Sequence, residues 1–166
     1  MIWLPSHRGH APARLLADRH YSRQKPGHPQ FMPPGSCRVL VAGNGKAVFG
    51  LSFPKPEYVK HAWAGAWVTS IFRNEAAGPL ASDMIRDALA VMQSDYGYGA
   101  PPPLGCITFV DPKKVRGVHR RGELVKGFCF LMAGFRAVGE TKKGLIAWQL
   151  LPQDMPAPRG LIGIAA

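Results

Sequence analysis

Ala62-Trp-Ala-Gly-Ala-Trp-Val-Thr-Ser-Ile-Phe72 carries no charge anywhere along its length. Read with the two-residue period of a strand, one side presents Trp63, Gly65, Trp67, Thr69 and Ile71. The other presents Ala62, Ala64, Ala66, Val68 and Phe72. A strand without a polar face is covered on both sides, so this one is expected at the centre of a sheet with a layer above and below it.

Further along the chain the period changes. From Ser82 to Asp95 the apolar residues Met84, Ile85, Ala88, Leu89 and Met92 fall on one stripe at helical spacing. Ser82 is placed to cap this helix, and Asp83 suits its first turn, where the helix dipole favours negative charge. The stripe reads as core, methionines included. Leu104 to Val110 is a second apolar strand, stopped by Asp111-Pro112, because proline cannot continue a ladder. Arg38–Ala42 and Lys46–Phe53 flank Asn44-Gly45, a hairpin signal in which both turn residues are expected at positive φ. Ala11 to Asp18 reads as a short helix with Leu15 and Leu16 inward. Arg23 to Ser36, with its prolines and glycines, reads as an irregular loop. Leu124 to Ala133 reads as a helix closed by Gly134, and Phe135–Thr141 with Leu145–Leu151 as a last hairpin. The order is helix, hairpin, long strand, helix, strand, helix, hairpin. It implies an α/β (α+β) fold: a mixed, mostly antiparallel sheet with helices packed on both faces. Residues 1–151 are expected to form one domain, and residues 152–166 a tail, docked or loose.

Composition narrows the partners. The 166 residues are 46% hydrophobic, enough for a core, and 21 Lys and Arg against 10 Asp and Glu leave a net charge of +11. Charge of that size on a small domain favours polyanions such as nucleic acid, or anionic cofactors. A basic surface tuned for solubility alone is the plainer alternative. Cys37, Cys106 and Cys129 make no C-x-x-C pair and read as buried thiols in a reducing cytoplasm. No signal peptide and no run of transmembrane length is visible, so a soluble cytoplasmic protein without membrane contact is expected. P-loop, G-x-G-x-x-G, H-E-x-x-H and G-x-S-x-G motifs are absent, which removes the usual sequence support for nucleotide hydrolysis, zinc proteolysis and serine hydrolysis.

Chemistry concentrates in two places. His20-Tyr21-Ser22 sets an imidazole, a phenol and a hydroxyl side by side, next to Arg19, Arg23 and Lys25. Asp111 stands at the end of a buried strand, where open sheets place ligands. It reads as a general base, a metal ligand or an orienting carboxylate, or simply as the cap of the following turn. Lys113, Lys114, Arg116, Arg120, Arg121 and Lys126 follow, opposed only by Glu123, and suit contacts to phosphates. Arg73-Asn74-Glu75 and the loop through Gly78 to Ser82 lead into a helix N-terminus, a setting that can receive a pyrophosphate. Glu75 is also a candidate catalytic or metal carboxylate. Trp63 and Trp67 read as core.

Phe128-Cys-Phe-Leu-Met-Ala-Gly-Phe-Arg-Ala-Val-Gly-Glu-Thr141 resembles the last helix and strand of the GNAT acetyltransferase fold. More narrowly, His20-Tyr21-Ser22, Phe109-Val-Asp111-Pro112 and the segment leading to Phe135 resemble, in that order, the phage Mom family of DNA-modifying proteins. The resemblance spans about residues 11 to 150. It implies covalent modification of an exocyclic amine of adenine in double-stranded DNA, shielding phage DNA from restriction. It implies functional roles for His20, Tyr21 and Asp111, with iron as a metal they would hold and a small-molecule group donor as second substrate. A family tyrosine on the last helix falls at Phe130, which has no hydroxyl.

Three readings follow. The leading one is a Mom-like DNA base-modifying transferase, with His20, Tyr21, Ser22 and Asp111 reactive. Arg19, Arg23, Lys25, Lys113, Lys114, Arg116, Arg120 and Arg121 would then hold the DNA. The second is a GNAT-type N-acyltransferase using acetyl-CoA, or another acyl donor, held by Arg73, Asn74, Gly78 and Ser82. The third is a DNA-binding module without catalysis.

Overall fold

A computed structural model describes residues 2–23 and 25–161. The chain begins with β1 (Trp3–Ser6), α1 (Ala11–Asp18) and the hairpin β2 (Cys37–Ala42) and β3 (Ala47–Ser52). It continues with β4 (Trp67–Asn74), α2 (Ala81–Met92) and β5 (Cys106–Val110). A small hairpin, β6 (Gly117–Arg120) and β7 (Glu123–Lys126), leads to α3 (Phe128–Met132), then β8 (Arg136–Glu140) and β9 (Ile146–Leu150).

Seven strands form one sheet in the order β1-β2-β3-β4-β5-β9-β8. Every neighbouring pair is antiparallel except β4 and β5, which run parallel. β6 and β7 pair only with each other. On one face α1 lays Ala13, Leu16 and Ala17 against Val39, Val41, Val48 and Ile71, with Phe31 and Met32 closing the edge. On the other, Met84, Ile85, Leu89 and Met92 of α2 pack with Leu40, Phe49, Trp67, Cys106 and Leu150. Each such side chain contributes roughly 1.5–3 kcal/mol of burial before entropy is subtracted. The mixed, mostly antiparallel sheet with helices on both faces is therefore as expected. Among the described residues no helix is long and apolar enough to cross a membrane.

Several local expectations are corrected. The central strand starts at Trp67, because Gly65, at φ +97°, turns the chain and Ala66 N–H closes onto the Trp63 carbonyl at 3.2 Å. The strand then runs on to Asn74. A bulge interrupts its pairing with β3: Gly50 faces Ile71, Leu51 faces Thr69, and Ser70 is left over. One extra residue exchanges the two sides of a strand. Trp67 accordingly packs on the α2 side, Ile71 on the α1 side and Phe72 on the α2 side again.

Leu15 points outward at 53% exposure, whereas Leu16 is buried at 2%. Ser82 does not cap α2; Leu80 holds the cap position and lends no side-chain bond. In the β2–β3 turn Gly45 takes positive φ and Asn44 does not. The helix expected from Leu124 is a strand as far as Lys126. Gly127, at φ +99°, then starts the short α3, and Gly134 ends it, with Phe135 N–H on the Phe130 carbonyl and Gly134 N–H on that of Leu131. Within the tail, Arg159 N–H bonds the Ala90 carbonyl and Gln93 donates to the Pro156 carbonyl, so residues 152–161 lie against α2. Residues 162–166 of the tail fall outside the described residues.

Candidate functional site

β4 and β5 pair through two residue pairs only, Trp67–Cys106 and Val68–Ile107. One side-chain bridge continues the contact, the Thr108 hydroxyl donating to the Thr69 carbonyl at 3.0 Å. Beyond it the strands part, and a cleft of about 420 Å³ opens. Thr69 to Phe72 line it from β4 and Thr108 to Val110 from β5. α3 and its approach contribute Gly127 to Phe130, and Val115, Arg116 and Val118 wall it from the hairpin segment. His20, Tyr21 and Ser22 reach in from the end of α1.

Local geometry fixes that triplet. α1 ends where His20 N–H bonds the Ala17 carbonyl at 2.9 Å. The His20 ring stacks on Tyr21 with centroids 4.5 Å apart and an interplanar angle of 28°. Ser22 meets His20 Nδ1 twice, with its backbone N–H at 3.1 Å and its hydroxyl oxygen at 2.7 Å. A nitrogen that receives a backbone N–H holds no proton of its own, so the imidazole proton sits on Nε2. Burial, with the nearby Arg73 charge as a second cause, pulls the His20 pKa down to about 4. Burial pushes the Tyr21 phenol upward. At neutral pH the site thus presents an uncharged imidazole and an un-ionised phenol.

Asp111 meets Tyr21, not His20. Its backbone N–H donates to Tyr21 Oη at 3.4 Å, across 90 positions of sequence. Its carboxylate accepts the Lys113 N–H at 3.0 Å and so caps the turn after β5. Among the described residues no hydrogen bond joins the Asp111 carboxylate to His20.

These three residues were expected to hold iron, and their arrangement does not fit it. His20 Nδ1 is occupied by Ser22, Nε2 carries the proton, the phenol is held away from phenolate, and the carboxylate is turned toward Lys113. Among the described residues no three His, Cys, Asp or Glu side chains converge elsewhere. Cys129 lines the cleft as a thiol that burial pushes up to about 11, which keeps it from acting as a thiolate near neutrality.

Other expected residues are engaged in structure. Arg19 and Arg73 both clamp Glu75, at 2.7 and 2.6 Å. The hydrogen bonds from Arg19 and then Arg73 hold its carboxyl down to about 2, so Glu75 is a permanent anion between two guanidiniums. Arg23 pairs with Asp18 at 2.8 Å and donates to the Gln30 and His28 carbonyls, ordering the loop after the triplet. Asn74 accepts the Ala76 N–H at 2.9 Å and shapes the turn beside it, and Gly78 takes φ +100°. None of Arg73, Asn74, Gly78 and Ser82 is among the residues lining the cleft. Lys25, Lys113, Lys114, Arg116, Arg120 and Arg121 are exposed. Of these Arg116 reaches the cleft wall.

The cleft also contains residues that sequence reading passed over: Thr69, Thr108, Phe72, Phe128 and Cys129. Thr69 and Thr108, each 4% exposed, are hydroxyls inside otherwise apolar strands, and that was the available signal. Comparison of the chain with family models, with curated proteins and with solved structures returns no match.

Proposed function

We propose that the chain is a DNA base-modifying transferase of the kind the Mom resemblance implies, attaching a group to an exocyclic amine of adenine in double-stranded DNA. Such an enzyme would work in the cytoplasm of a phage-infected cell and protect phage DNA from restriction. The observation that carries the reading is the convergence of His20, Tyr21 and Ser22 on a cleft beside a strongly basic hairpin. A base can be modified only when it leaves the stack and enters such a pocket, and phosphate-binding charge must hold the strand while it does so.

The chemistry follows from the side chains. A C–N bond forms between the amine and an electrophilic carbon of the donor, the donor's leaving group departs with the bonding pair, and the amine sheds one proton. Ser22 takes that proton as it passes its own to His20 Nδ1, 2.7 Å away. The un-ionised Tyr21 hydroxyl donates to charge developing on the donor. Phe72, Phe109 and Phe128 offer rings for the extruded base.

Mass spectrometry of nucleosides from the DNA of cells expressing the protein tests this. A mass-shifted deoxyadenosine that disappears with His20→Ala supports it; unmodified DNA in the presence of folded protein overturns it.

A second reading, acetyl-CoA-dependent N-acyl transfer to a small amine or protein, is favoured by the parting of β4 and β5. Main-chain groups left unpaired there can receive an amide-bearing donor arm in the manner of an added strand. Thermal stabilisation by acetyl-CoA together with indifference to DNA would decide for it.

A further inference from the structure

The β6–β7 hairpin stands apart from the main sheet, held at its base and by one contact near its tip, Arg120 to Met132 of α3. Trp148 Nε1–H donates to the Lys126 carbonyl at 3.1 Å, Lys126 Nζ donates to the Val115 carbonyl at 2.9 Å, and Val115 and Val125 pack on the main core. Beyond that base the ribbon projects. Its register pairs Val118 with Val125, His119 with Leu124 and Arg120 with Glu123. Alternation therefore puts Arg120 on the same side as Val118, which lines the cleft, and His119 with Leu124 on the other.

The tip is unusual. Arg121 at φ +50° and Gly122 at φ +82° make a two-residue turn with both residues left-handed. Arg121 is the one non-glycine residue at positive φ among the described residues. That conformation strains an L-residue, and asparagine or glycine would fill it more readily. An arginine kept there points to a use for its charge. The surrounding cations are also uncommitted: among the described residues no salt bridge engages Lys113, Lys114, Arg116, Arg120 or Arg121, in contrast to Arg19, Arg23 and Arg73. Arg120 donates to Met132 Sδ at 3.4 Å.

We infer that this hairpin is a groove-entering ribbon. Its Arg120-Arg121 tip enters the major groove of duplex DNA, and its base, as a wall of the cleft, sets the target base beside His20, Tyr21 and Ser22. The inference rests on the DNA reading above and adds the element that seats the duplex. The major groove, about 12 Å wide, admits a two-stranded ribbon. Lys113, Lys114 and Arg116 at the foot of the ribbon meet flanking phosphates. Val118 and Leu124, 41% and 52% exposed on its flanks, suit contact with thymine methyl groups.

The test compares the full chain with R120Q/R121N and with K142Q/K143Q. Asparagine at position 121 tolerates positive φ, so the turn survives, and a thermal melt confirms it. Lys142 and Lys143 are exposed in the β8–β9 turn, away from the cleft lining, and control for charge alone. Affinity for a short duplex is measured against salt, with the matching single strand and anionic lipid vesicles as further probes. The expected result is a loss of duplex affinity of about 10-fold or more in the tip variant and none in the control, with the salt slope largely kept because the phosphate contacts lie at the foot of the ribbon. Loss of duplex affinity should exceed loss of single-strand affinity. Unchanged duplex affinity in the tip variant, an equal loss in the control, or binding to vesicles in preference to duplex overturns the ribbon. A wild-type chain that binds no duplex at all overturns the DNA reading itself.

Discussion

Ser22 grips Nδ1 of His20 from two directions, its backbone N–H at 3.1 Å and its hydroxyl at 2.7 Å. Within three residues the chain has fixed which ring nitrogen is basic and where a proton would arrive. Ser22→Ala keeps the backbone contact and removes the hydroxyl. It should lower the rate of DNA modification about 100-fold, the scale of a lost proton-transfer group, with the melting temperature unchanged. Quantified modified nucleoside from parallel cultures reads this out.

Four groups shape the acid response: burial pulls His20 and His61 down, and hydrogen bonds from arginines pull Asp18 and Glu75 down. His20, at about 4, lies below the ordinary 6.5, so below pH 6.5 the unfolded chain takes up a proton that the folded chain refuses. Stability from this group is full above pH 6.5 and falls away toward pH 4. Glu75, held to about 2 by Arg19 and Arg73, contributes stability above 4.5 that is lost as pH falls toward 2. The slope between pH 6.5 and 4.5 is therefore that of His20 together with His61. Urea midpoints at pH 7 and pH 5 should differ in the wild type and differ less in His20→Gln, which keeps only the His61 contribution. Equal pH dependence in the two proteins would refute the assignment.

Glu75→Gln leaves Arg19 and Arg73 facing each other without their anion. Both pairs are open to solvent screening, so the loss of stability is small. The sharper readout is His20: with Arg73 no longer neutralised, its titration in an NMR pH series should shift to still lower pH.

Asp111 separates charge from turn formation. Asp111→Asn keeps an acceptor for the Lys113 N–H and leaves the backbone N–H on Tyr21, so modification should persist; Asp111→Ala loosens the turn and should reduce it. If the asparagine variant were as inactive as the alanine one, the carboxylate charge itself would be at work.

At the bulge, a methyl group on Gly50 would lie 2.5 Å from Met32 Sδ and 2.8 Å from Ile71 Cγ2. Gly50→Ala should cost about 1–3 kcal/mol, measured by urea unfolding, because overpacking displaces both side chains.

α1, α2 and the β2–β3 hairpin were legible because apolar spacing and turn residues agreed there. β1 was hidden: four residues containing Pro5, with Leu4 exposed at the sheet edge, leave little pattern. The run Leu124 to Ala133 looked continuous because Leu124-Val125 and Phe128–Met132 are all apolar, and only the positive φ at Gly127 divides strand from helix. The bulge at Ser70 depends on pairing with β3, which one strand's own sequence does not contain. In the site, the triplet was readable as local chemistry. The surroundings of Arg19 were not, since its ion pair with Glu75 spans 56 positions and the Arg73 bond to its carbonyl spans 54, both products of the fold.

The two-pair seam between β4 and β5 has a mechanical consequence. It divides the sheet into two leaves, β1 to β4 and β5-β9-β8, each laced by its own antiparallel ladders. Ala66, Ile107 and Ala147 pin the leaves at the spine. α2 packs on both leaves at once, through Leu40, Phe49 and Trp67 on one and Cys106 and Leu150 on the other, so the parted strands are held in place by a shared core and not by a ladder.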